Sequence, residues 1–131
     1  MLSRFRIHAT LPARDLERAK VFYSDKLGLT PAKEAPGGLV YECGGSSYLL
    51  VFPSQGTSSG THTQAGWTVN DIDSIVAELR SRGVAFESYE FPQFDKETGI
   101  ATFEQIRSAW FKDSEGNVLG VVEFVDPAAS F

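Results

Sequence analysis

The chain has 131 residues, 42% of them hydrophobic and 22% charged, enough apolar material for one packed domain and too much for a disordered segment. Seventeen Asp and Glu against twelve Lys and Arg leave a formal net charge of −5, which disfavours phosphate backbones and excludes nucleic acid as an expected partner. Cys43 is the single cysteine, so no internal disulfide or cysteine zinc cluster is expected; no apolar run suits a secretory leader or a membrane span, and the expected compartment is cytoplasmic.

In chain order, residues 5–12 read as extended and lead into a helix over DLERAKVFYSDKLG. Asp15 can cap it by accepting from first-turn N–H groups. Leu16, Ala19, Phe22 and Leu27 recur as an apolar stripe, and Gly28 can end the helix in a left-handed conformation. Strand-like runs follow at 32–35, 39–43 and 48–52, separated by Pro36-Gly37-Gly38 and Gly44-Gly45 turns. Residues 53–63, PSQGTSSGTHT, read as a flexible linker in which His62 is solvent-exposed.

The second half opens with an extended segment at 66–70 and a helix over DIDSIVAELRSRG. Asp71 caps this helix, Ile72, Ile75, Val76 and Leu79 fall at i, i+3, i+4 and i+7, and Gly83 ends it. Strand-like runs follow at about 84–88, 100–104, 108–112 and 118–125, the last two joined as a hairpin through Asp113-Ser114-Glu115-Gly116-Asn117. Residues 91–99 form a loop too long for a simple hairpin. Sliding Asp15 onto Asp71, an offset of 56 residues, superimposes the two halves and sets Leu11 on Trp67. The order β-α-β-β-β therefore occurs twice. Residues 1–131 are expected to form one domain, with a first module over about 1–53, a linker over about 54–63 and a second module over about 64–125.

Three phrases, IHATLPARDLERAKVFYSDKLGL, WTVNDIDSIVAELRSRGV and AWFKDSEGNVLGV, together resemble the vicinal oxygen chelate (glyoxalase/bleomycin resistance/dioxygenase) superfamily. The resemblance implies an α+β fold of two βαβββ modules forming a curved mixed sheet cleft with helices on the outside. It also implies a homodimer, and a divalent metal in the cleft that chelates neighbouring oxygens of the substrate as a Lewis acid. Carried over position by position, its ligands fall at His8, at Gln64 by the 56-residue offset, and at Gly120 where the family usually has an acid. Glycine has no donor atom. Alternation turns Glu123 to the other face of its strand, and residues 44–60 hold no acid or histidine. The metal site is therefore expected to be degenerate and the protein to work without a cofactor, the alternative being a divalent metal ion held by His8 and Gln64. His8 stays open between a ligand, a general base and a hydrogen-bonded histidine on the concave face.

Aromatic side chains crowd the second half: Tyr89, Phe91, Phe94, Phe103, Trp110 and Phe111. Only one of Trp110 and Phe111 can face the cleft, and Trp110 is taken as that one; Trp67 has the parity of core. His8, Gln64, Tyr89, Phe94, Phe103 and Trp110 are thus the cleft candidates for binding a planar small-molecule ligand, while the same aromatics would equally serve as core. Cys43 reads as a buried, inert thiol, and no Gly-x-Ser-x-Gly, P-loop or dinucleotide fingerprint occurs. The terminal segment 121–131 is free to pack on a partner or on its own domain. The leading expectation is a glyoxalase/bleomycin-resistance-like protein that sequesters a drug or metabolite; the alternative is a metal-dependent lyase, isomerase or dioxygenase using His8 and Gln64. No catalytic residue is assigned.

Overall fold

In the computed structural model, residues 1–126 and 128 are described; positions 127 and 129–131 of the terminal segment lie outside the described residues. The first module consists of β1 (Ala9–Ala13), α1 (Leu16–Leu27), β2 (Lys33–Ala35), β3 (Gly38–Cys43) and β4 (Ser47–Pro53). The second consists of β5 (Thr63–Thr68), α2 (Ile72–Ser81), β6 (Phe94–Asp95), β7 (Ile100–Thr102), β8 (Ile106–Lys112) and β9 (Val118–Phe124). Each module builds one mixed sheet, in the order β1-β4-β3-β2 and β5-β9-β8-β7-β6. The repeat is therefore one of topology as well as pattern: in both sheets the first strand pairs in parallel with the last, and the remaining neighbours are antiparallel.

The caps form as the sequence dictates. The Asp15 carboxylate accepts from the Arg18 N–H at 3.0 Å, and Gly28 ends α1 at φ 67°, a left-handed turn that glycine adopts without strain. Asp71 accepts likewise from the Ser74 N–H. At the other end of its strand, Glu123 accepts from the Ile72 N–H at 2.8 Å, so this carboxylate lies on the helix side, as alternation requires.

Three expected boundaries move. The parallel register of β1 starts at Ala9, opposite Leu49, close to the Gly44-Gly45 turn, and Phe5 to His8 are exposed outside the strand. The strand leading to α2 starts at Thr63 rather than 66, after which a bulge at Thr63/Ala65 shifts its register on β9. Residues 84–88 form no strand: they touch β8 through one bridge, Phe86 to Phe111. Further along the same edge the chain returns as β7, which pairs with β8 at Ser108 and Arg107 and carries β6 on its outer side.

One apolar core crosses the two modules. Leu11, Tyr23, Tyr41 and Val51 of the first pack with Val84, Phe111 and Leu119 of the second, and α2 adds a smaller cluster of Ile72, Val76, Ile100, Ala109 and Val121. Leu11 and Leu119 are fully buried, each worth roughly 2 kcal/mol in apolar transfer. The seam also carries a polar clasp. Glu115, in the β8–β9 turn, accepts from the Asp15 N–H at 3.0 Å and from Arg18 Nε and Nη2 at 2.8 and 3.0 Å. The guanidinium, the Asp15 N–H and the Ser114 hydroxyl together hold its carboxyl down to about 2 against the opposing effect of burial.

A folded-state value below the unfolded one makes this clasp stabilising above pH 4.5 and progressively lost as pH falls from about 4.5 to about 2. Glu115→Gln should therefore cost roughly 2–3 kcal/mol at neutral pH, the scale of a broken part-buried charged pair. Urea unfolding as a function of pH checks both parts: the variant should lose midpoint at pH 7 and show a flatter decline below pH 4.5. Identical curves for the two proteins would remove the clasp from the stability of the fold.

Candidate functional site

Strand alternation assigns the two faces of the second sheet. Ala109, Phe111, Leu119 and Val121 belong to the cores on the helix side, so Ser108, Trp110, Val118 and Gly120 face the helix-free side. Trp110 and Gly120 are direct partners across β8 and β9. A Cβ built on Gly120 would lie 3.2 Å from Trp110 Cδ1. The indole thus fills the space over the glycine, and the absence of a side chain at 120 is what lets it lie there.

The 88–103 insertion folds over this indole. Tyr89 meets Trp110 edge-to-face with centroids 5.5 Å apart, and Phe94 at 5.7 Å. Phe91 stacks on Tyr89 and Phe103 at 6.0 and 6.1 Å. Such offset and edge-to-face pairs add to the area they bury. Beside the cluster lies an open cavity of about 190 Å³, lined by Thr61, His62, Thr63, Tyr89, Phe91, Trp110 and Val118. Burial, followed by the Glu87 charge, raises the Tyr89 hydroxyl above its ordinary range.

The six sequence candidates divide sharply. Tyr89, Phe94, Phe103 and Trp110 come together in this cluster. Gln64 is committed elsewhere: its Oε1 accepts from the Val118 N–H at 3.2 Å and from the Ser58 hydroxyl, and its Nε2 donates to Asn117 Oδ1 at 3.1 Å. His8 is exposed, one residue before β1, and lines neither the aromatic cavity nor the larger one on the helix side. Sequence reasoning placed Phe91 only among the crowd of aromatics, and took His62 for a linker residue turned to solvent. His62 is exposed, yet its segment brings it to the cavity rim, because Gln64 two residues on is held at the β8–β9 turn; no local signal in the sequence points to this. Cys43 is half-buried rather than enclosed, because it ends β3 at the Gly44-Gly45 turn. Trp67 packs against both cores, as its parity required.

Residues 6–121 match the sequence profile of the Glyoxalase/Bleomycin resistance protein/Dioxygenase superfamily. The chain belongs to this superfamily. No curated protein matches it. Among solved structures, it is similar to a glyoxalase/bleomycin resistance protein/dioxygenase from Alicyclobacillus acidocaldarius at 23% identity and TM-score 0.71, covering 97% of this chain and 96% of that one. It is also similar to a glyoxalase/bleomycin resistance protein/dioxygenase from Nocardioides, at 22% identity, TM-score 0.69 and 97% and 88% coverage. TnmS3, an antibiotic binding protein from Streptomyces sp. CB03234, is similar at 23% identity, TM-score 0.67 and 92% and 97% coverage. At these identities the likeness is one of fold.

Superfamily membership raises the question of a divalent metal, which the residues at the implied positions answer from their own chemistry. Gly120 offers no atom and lies under an indole. Gln64 spends both amide atoms on the hydrogen bonds already described. Among the described residues no three His, Cys, Asp or Glu side chains gather closely enough to hold a metal ion. The donor set does not fit a hard or borderline divalent ion, for which about four to six good donors are needed.

If Trp110 fills the space of the implied acid, Gly120→Glu should overpack the site and cost roughly 1–3 kcal/mol. Trp110→Ala should relieve much of that cost, giving a favourable coupling in a double-mutant cycle read by denaturant unfolding. Additive losses would show that the indole does not compete for position 120.

Proposed function

We propose that this protein binds a planar aromatic small molecule, such as a drug or a metabolite, without a metal, and protects or sequesters it. The observation that carries the reading is the Trp110 indole over Gly120: a flat, partly open aromatic surface at the position to which the resemblance assigns a metal-binding acid. Tyr89 and Phe91 extend that surface, and Thr61, His62 and Thr63 supply hydrogen-bonding groups at its edge. An aromatic wall with a few placed polar groups is the usual build of a small-ligand site. TnmS3, which has the same fold, is an antibiotic binding protein, and its likeness supports the class of ligand rather than its identity. The chain's net charge of −5 favours neutral or cationic members of that class over anions.

His62 Nδ1 lies 3.5 Å from the Ser59 hydroxyl at the rim, at the long limit of a hydrogen bond, and the reading assigns no chemical step to it. What the residues do is stack, donate and accept hydrogen bonds, and exclude water from one face of the ligand. In this reading residues 1–131 act as one domain inside the cell and as a homodimer, the assembly the superfamily resemblance implies. Sedimentation at micromolar protein checks the assembly; a monomer there would remove it.

Calorimetric titration with a panel of planar aromatic antibiotics should find a ligand with 1:1 stoichiometry per chain. Trp110→Ala should weaken it about tenfold, since one stacked or edge-to-face aromatic contact plus its buried area is worth about 1.5 kcal/mol. Binding should survive exhaustive treatment with chelator. A broad panel without a ligand, or binding abolished by chelator, would overturn the reading.

A further inference from the structure

The segment before β1, residues 1–8, is exposed throughout. Ile7 is 96% exposed, Leu2 72% and Phe5 63%, so three large apolar side chains stand in water close together. Single exposed apolar residues are ordinary, whereas a cluster of them marks an interaction surface. Arg4 and Arg6 stand among them. Neither has an ion-pair partner among the described residues; their guanidinium groups lie over the Phe5 and Tyr48 rings, 5.6 and 5.8 Å from the centroids. This arm is apolar and basic on a chain whose net charge is −5.

The aromatic face is its complement. The cavity there is open and holds about 190 Å³, below the range of about 300–1,000 Å³ in which pockets enclose small ligands, so as a binding site it lacks an outer wall. Phe103, 37% exposed, carries the aromatic surface beyond Phe91. The insertion and the residues flanking it are acidic. Glu87 pairs with Lys112 and Glu90 with Lys96, whereas Asp95, Glu97 and Glu104 are exposed without an ion-pair partner among the described residues.

The arm of the same chain starts at the wrong end of β1 to reach this face. Asn117 donates to the Pro12 carbonyl at 3.0 Å, so the last part of β1 lies beside the start of β9, where Val118 lines the aromatic cavity. The arm leaves from Ala9, about 10 Å further back at roughly 3.3 Å per residue, and Arg6 holds it over Tyr48 at the start of β4. We infer that this arm packs on the aromatic insertion of a second copy of the chain and supplies the missing wall of its site. Phe5 and Ile7 meet Phe91 and Phe103, and the two arginines stand opposite Glu97 and Glu104. In a two-fold dimer the exchange is reciprocal, so two arms and two aromatic faces are covered together. The inference rests on the reading of the aromatic face as a ligand site in a homodimer, and gives that dimer its interface.

Sedimentation of the whole chain should show a dimer at micromolar concentration. Phe5→Ser combined with Ile7→Ser, both on exposed side chains, should weaken it at least about a hundredfold, because a two-fold interface loses each contact twice. Glu97→Gln combined with Glu104→Gln should weaken it about fivefold, the scale of exposed charge pairs. In a Cys43→Ala background, copies carrying Phe5→Cys, mixed with copies carrying Glu104→Cys and treated with a short bismaleimide, should form a cross-linked dimer containing one of each. Neither kind alone should cross-link. A dimer undiminished by either double substitution, cross-linking of Phe5→Cys copies to one another, or a monomer, with its arm free or bound to phosphatidylglycerol vesicles, would each overturn the assignment. None of these measurements involves a ligand, so their failure is separate from failure of the calorimetric titration. A dimer that survives loss of the arm's apolar side chains would keep the homodimer and remove this interface.

Discussion

The fold hangs on a buried carboxylate. Asp113, at the start of the β8–β9 turn, accepts four hydrogen bonds: Oδ1 from the N–H groups of Glu115 and Asn117 at 2.9 Å each, and Oδ2 from the Tyr23 hydroxyl at 2.8 Å and Asn117 Nδ2 at 2.9 Å. Asn117, fully buried, passes the network on to the Pro12 carbonyl at 3.0 Å and receives from Gln64 Nε2 at 3.1 Å. One turn of the second module is thereby tied to α1 and β1 of the first and to β5 of its own. A buried charge is tolerable only when saturated in this way. Because such bonds are directional, they fix the register of one module on the other, which apolar packing alone leaves adjustable. Tyr23 also stacks on Tyr41 at 5.2 Å, so the polar knot and the shared apolar core meet at a single side chain.

The consequences reach both cavities. Pinning β9 at Asn117 sets which residues of β8 and β9 face each side, placing Trp110 and Gly120 together on one face and Phe111 and Val121 on the other. Holding Gln64 against Asn117 and Val118 brings residues 61–63 to the rim of the aromatic surface. The same bonds withdraw Gln64 from any role as a free ligand. Gln64 here serves architecture.

Much of the scaffold was legible because it is written in local chemistry. Asp15 and Asp71 are caps by residue type, Gly28 is an exit because glycine takes a left-handed turn without strain, and the Asp113–Asn117 turn announces its hairpin. The strand parity that set Trp110 against Phe111 and turned Glu123 to the helix side needs only alternation. What was not legible depends on long-range packing. Residues 84–88 carry strand-like composition but meet β8 through the single bridge of Phe86 to Phe111, and no local rule gives the path of the insertion that follows. His8 reads as a member of an extended strand, yet the register of β1 on β4 begins one residue later and leaves it in solvent. Gln64 looked available because nothing in its neighbours announces a hydrogen bond to a residue 53 positions away.

The halves share one pattern and differ most where the second has more residues, between α2 and β8. In the first sheet the strand beside β3 is short and bare; in the second, the equivalent edge carries the insertion that delivers Tyr89, Phe91, Phe94 and Phe103 over Trp110. A glycine at 120 and an indole at 110 each make sense only with the other: an acid at 120 would push the indole away, and without the indole the glycine would leave a gap in a sheet face. That mutual dependence makes the glycine, the indole and the aromatic insertion parts of one surface, so that a change at any one of them is felt by the other two.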